Sequence, residues 1–208
     1  MKERIIIAVM ALLSVTAFAA ETNSTSASTE EKYTKVIEAR TDGIVKSLEL
    51  SDTNKVTKVH DIIIAQYRAL NAWHEANDAR LKAAGKDTNA VVQIRSSLKM
   101  LHDKFLFALA ENLSPEQVDH VKDKLTYGKV QFTYTGYLNQ YPNLSDADKQ
   151  KILELLKQAR EEAMDGGSAA EKTAIFQRYK GKINNYLSKQ GIHAPQKSPV
   201  RTNSIDLN

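Results

Sequence analysis

Within residues 52–83, Val56, Val59, Ile63, Tyr67, Leu70 and Leu81 fall on one stripe at helical spacing. Apolar residues returning every third or fourth position predict a helix with one core-facing side. Val91, Leu98, Leu101, Phe105 and Leu109 predict a second over 89–111. At 100° per residue, Ile175, Phe176, Tyr179, Ile183, Tyr186 and Leu187 fall within roughly 120° of arc, which predicts another over 169–189. Helices over 30–49, 115–125 and 146–165 complete the pattern.

The starts and stops agree with these spans. "LSDTN" at 50, "LSPEQ" at 113 and "LSDAD" at 144 each place a capping serine behind a leucine. Ser114 with Pro115 and Gln117 has the makings of a capping box, and Ser168 with Glu171 repeats it. Gly85, Gly166-Gly167 and Gly191 mark ends. The expectation is an all-α fold, a single-domain antiparallel bundle of about six helices.

Residues 127–141, "YGKVQFTYTGYLNQY", break the pattern. Val130, Phe132 and Tyr134 alternate as in a strand, whereas Tyr127, Tyr134 and Tyr141 are spaced as on a helix face. With Gly128 and Gly136 inside it, the segment reads as an irregular aromatic-rich connection holding at most a short helix or extended piece. Its four tyrosines and one phenylalanine, Tyr134 and Tyr137 among them, either cover the end of the core or offer a stacking platform for sugar rings. The first is the plainer reading.

The two ends differ from the middle. Lys2 and Arg4 precede an apolar run from Ile5 to Phe18, and Ala17-Phe18-Ala19 supplies the small residues that a signal peptidase reads. Residues 1–19 are therefore expected to be a signal peptide cleaved near Ala19 or Ala20, with a periplasmic product and no membrane span left after cleavage. A Ser/Thr-rich linker over 20–29, a helical domain over 30–191 and a disordered tail over 192–208 follow.

Composition narrows the chemistry. The chain has no cysteine, so disulfides and thiolate catalysis are excluded. Without residues 1–19 it carries 27 basic and 24 acidic side chains, too even a balance for a nucleic-acid binder. No Gly-x-Ser-x-Gly elbow, phosphate loop or dinucleotide turn is present, and nothing calls for a cofactor.

"HEAND" at 74 begins like the His-Glu-x-x-His zinc motif but carries Asp78 where the second histidine belongs. His74 and Asp78 lie one turn apart, close enough to share a hydrogen bond or a metal. His60, about 21 Å away along the same helix, cannot join them. No metal site is expected, and His74, on the apolar stripe, reads best as a histidine at the core edge. In "FQRYKGKINNYL", Arg178, Lys182 and Lys189 share a stripe beside Asn185. Such a stripe is usually a solvated face; its sharper reading is that Arg178, Lys182 and Asn185 donate to an anionic sugar. Gly181, mid-helix, suggests close approach by a backbone or a ligand.

"AREEAMDGGSAAEKTAIFQRYKGKINNYLSKQG" at 159 resembles the C-terminal signature of exported bacterial proteins of the domain of unknown function 3826 family. "YTKVIEARTDGIVKSLELSD" at 33, "VHDIIIAQYRALNAWHE" at 59 and "LTYGKVQFTYTGYL" at 125 are similar to its N-terminal and middle parts. Lys182 stands where arginine is usual in that family. The resemblance carries over no catalytic residues; it implies association with polysaccharide-degrading systems.

Together these features point to an exported, non-enzymatic binding or interaction protein, associated with glycan use. Its partner would be an acidic oligosaccharide or another periplasmic protein, met through Arg178, Lys182, Asn185, Tyr134, Tyr137 or His74. One alternative is a glycan-acting lyase or hydrolase, which requires His74, Arg178 and a tyrosine to converge in a cleft. Another is a chaperone-like protein, whose mark would be an exposed apolar concavity.

Overall fold

The computed structural model describes residues 16–193, with side chains from Thr29 onward. Residues 1–15, within the segment expected to be a signal peptide, and residues 194–208, within the expected tail, lie outside the described residues. Seven helices follow in order: α1 (Thr16–Lys46), α2 (Thr53–Ala84), α3 (Thr88–Ala110), α4 (Pro115–Leu125), α5 (Lys129–Gln140), α6 (Asp146–Met164) and α7 (Ala169–Lys189). The protein is all-α, as the apolar spacing predicted, and among the described residues no helix is long and apolar enough to cross a membrane.

Caps set most of the boundaries. Ser114 and Ser145 form capping boxes with Gln117 and Asp148, and Ser168 accepts from the Glu171 amide. At the start of α2 the cap is Asp52 rather than the preceding serine, its carboxylate accepting from the amides of Asn54 and Lys55. The span of α1 takes in the Ser/Thr-rich stretch, so the helix expected from residue 30 is its C-terminal part.

The aromatic segment is the main correction. Residues Lys129–Gln140 form α5 and not an irregular connection. Tyr127 and Gly128 both adopt left-handed backbone, at φ 60° and 63°, and this pair of residues turns the chain so that a helix can restart at once. Val130, Tyr134, Tyr137, Leu138 and Tyr141 then meet one core cluster, so tertiary packing at helical spacing overrides the short strand-like alternation.

Neighbouring helices pack antiparallel. Tyr33 donates to the Tyr67 carbonyl across α1 and α2, Trp73 to Ser97 across α2 and α3, and Tyr186 to Asp148 across α6 and α7. Two larger cores result. Ile44, Val59, Ile63, Phe105, Leu109 and Val121 centre one within α1–α4. Ile152, Leu156, Phe176, Tyr179 and Ile183 centre the other within α5–α7. Met164 reaches from α6 into the first core, and Arg160 lies buried beside α4, so α6 joins the two.

Candidate functional site

On the outer face of α5, Phe132, Gly136 and Gln140 stand in a row at four-residue spacing, the repeat that aligns side chains on a helix. The middle member has no side chain, and a Cβ built on Gly136 would meet nothing within 4 Å. A notch is left between the Phe132 ring and Gln140. Across it, α7 presents Lys180 and Asn184, also four apart, and the groove so formed has a volume of about 630 Å³. That is the size of a small-ligand site.

Polar groups in this groove are held in place. The Tyr137 hydroxyl donates to Asn184 Oδ1 at 2.8 Å, with the Lys180 carbonyl 3.2 Å away as a second acceptor for the same proton. With its oxygen taken, Asn184 keeps its amide hydrogens for the groove. Burial pushes the Tyr137 pKa up to about 12, so the hydroxyl stays a donor at any ordinary pH. Gln131, Thr133, Thr135 and Asn139 also line the groove, against a Phe132 that is 83% exposed. A large ring left in water beside a set of amides and hydroxyls can stack on an apolar ligand face while its neighbours bond polar edges.

Of the residues expected to bind, only Tyr137 lines this groove. Tyr134 packs against the α5–α7 core. The basic stripe is engaged elsewhere: Arg178 pairs with Glu162, and Lys182 places its ammonium 3.9 Å from the Tyr179 ring centre. Asn185 is exposed outside the groove, and Gly181 faces open space with no backbone near it. The Phe132–Gly136–Gln140 row would have been visible had the segment been read as a helix; Asn184 was passed over for its neighbour Asn185.

His74 belongs to a separate polar knot where the two cores meet. Its Nδ1 lies 2.9 Å from an Asp78 carboxylate oxygen and its Nε2 2.7 Å from the Asp165 carbonyl. Both partners are acceptors, so the protonated ring satisfies both, and each ring nitrogen is engaged by a protein group. Burial works against that charge, but the hydrogen bonds to Asp165 and Asp78 outweigh it and raise the His74 pKa. His102 is raised in the same way, chiefly by the Asp165 carboxylate 3.0 Å from its Nδ1. Neither His74 nor Arg178 lines the α5–α7 groove.

Fold and groove therefore define an all-α helical bundle with an open amphipathic groove between two parallel helices. The chain belongs to the family described as "Protein of unknown function (DUF3826)", whose family model matches residues 34–202. No curated protein matches the sequence.

Proposed function

We propose that this protein is a non-enzymatic, exported carbohydrate-binding module whose ligand lies in the α5–α7 groove. The observation that carries the reading is the Phe132 ring, 83% exposed beside the Gly136 notch. A pyranose ring has one face rich in C–H and a rim of hydroxyls; Phe132 suits the face, and Gln140, Asn139 and Asn184 suit the rim. Because Arg178 and Lys182 are held by Glu162 and Tyr179, the groove offers only Lys180 as a cation. That balance favours a neutral sugar over the acidic one that the basic stripe suggested. Export to the periplasm, read from Lys2, Arg4 and the run to Ala19 or Ala20, is part of the same proposal.

Calorimetric titration with neutral and uronic-acid hexasaccharides tests it. Saturable binding to a neutral sugar, weakened at least tenfold by Phe132→Ala and abolished by Gly136→Leu, is the expected result. Both substitutions lie on exposed positions, so melting temperatures should stay within a few degrees. Binding that ignores both changes would end the reading.

A further inference from the structure

A second, smaller cavity opens where the two cores meet. Its volume is about 70 Å³, and its walls include Arg40 of α1, Tyr67 of α2, Tyr127 before α5, and Ser168, Ala169 and Lys172 at the start of α7. At about 30 Å³ per water, that is room for two waters or one compact group.

Lys172 is only 6% exposed. Its ammonium donates to the carbonyls of Leu125 at 3.1 Å and Met164 at 3.4 Å. An ammonium has three donors, so one remains, and among the described residues no carboxylate pairs with this lysine. Arg40 lines the same cavity, is exposed, and has no carboxylate partner among the described residues either. The two acids nearby are engaged, Asp165 with His102 and Glu171 with the Gly167 amide. Tyr67 lines the cavity too, and its hydroxyl makes no hydrogen bond among the described residues. The Ser168 hydroxyl caps the Glu171 amide, which leaves the amides of Ala169 and Ala170 at the start of α7 without an acceptor in the helix, and the helix dipole adds partial positive charge.

Tyr127, whose left-handed backbone at φ 60° makes the turn into α5, closes one side of this cavity lined by two cations. A buried cation without a counter-charge is expensive unless something supplies one.

We propose that this cavity is a seat for a single compact oxyanion, a carboxylate or a phosphoryl group, bound by Arg40, Lys172, the Tyr67 hydroxyl and the first amides of α7. The site is distinct from the α5–α7 groove and does not depend on that groove binding sugar.

The test titrates the full chain with inorganic phosphate and, separately, acetate, at constant ionic strength, following thermal stability and amide chemical shifts. Saturable binding of at least one probe is expected, weakened at least tenfold by Arg40→Gln and severalfold by Tyr67→Phe. Arg40→Gln changes an exposed side chain, so the fold should survive it, and Phe132→Ala should leave the constant unchanged. Saturation with phosphate alone identifies a phosphoryl ligand, and with acetate a carboxylate. A linear response to both probes, or an unchanged constant in Arg40→Gln, would overturn the proposal.

Discussion

Gly167 and Gly181 meet opposite surroundings. A Cβ on Gly167 would lie 2.8 Å from Cγ of His74, whose ring is fixed by Asp78 and Asp165 and cannot withdraw. Gly167→Ala should therefore cost about 1–3 kcal/mol through overpacking. Gly181 lies inside α7 with nothing within 4 Å, so alanine there removes backbone freedom from the unfolded chain without a clash. Gly181→Ala should stabilise by about 0.5–1 kcal/mol. Denaturant midpoints of the two variants should move in opposite directions; a shared direction would contradict the contacts described. The sequence could show that Gly181 was helical but not what faced it. Its neighbours Arg178 and Lys182 likewise read as a ligand-ready stripe, because their partners Glu162 and Tyr179 are made by packing of α6 against α7 and by rotamer choice.

At the scale of elements, the long amphipathic helices were legible and their contacts were not. Every apolar residue assigned to the α7 stripe is buried or half-buried, since its burial depends on one periodicity alone. In α2 the same logic missed the buried Trp73, which packs with Leu98 of α3 apart from the main core, and the buried Asn77, whose amide donates to the Trp73 carbonyl. The Arg160 clamp shows what periodicity leaves out. Arg160 is 3% exposed, and its two terminal nitrogens each donate at 2.8 Å, one to Asp119 and the other to Asp123, successive turns of α4. A planar guanidinium spans both carboxylates with two separate nitrogens, a fork that the single nitrogen of a lysine ammonium does not reproduce. Arg160→Lys keeps the charge but should lose about 2 kcal/mol. Thermal melts read this directly, and an unchanged melting temperature would mean that the α4–α6 junction does not depend on the fork.

For the whole molecule, the junction between the cores should govern how stability follows pH. His74 and His102 have raised pKa values, so they hold the folded state more firmly below about pH 6.5, and that support is lost as pH rises through their folded values. Lys172 acts in the opposite sense. Burial, opposed by Asp165 and Glu171 and reinforced by Arg40, lowers its pKa from 10.5 to about 8. Below pH 8 both states carry the proton and the folded state bears the whole cost of the buried charge. Above it the folded state releases the proton while the unfolded chain keeps it, so stability climbs with pH. Tyr67, pushed up to about 12 by burial, limits that climb, because above pH 10 the unfolded chain ionises first and the folded state loses ground. The gain is thus confined to pH 8–10 and amounts to about 2–3 kcal/mol at 1.4 kcal/mol per pH unit. Urea unfolding at half-unit pH steps should show stability falling through neutral pH and rising between 8 and 10. Lys172→Met should flatten the rise and leave the earlier fall intact, whereas His102→Asn should shrink the fall alone. The comparison uses slopes and not absolute stabilities, so loss of the lysine's bonds to Leu125 and Met164 does not obscure it. If wild type and Lys172→Met climbed equally between pH 8 and 10, the buried ammonium would not be the group that titrates there.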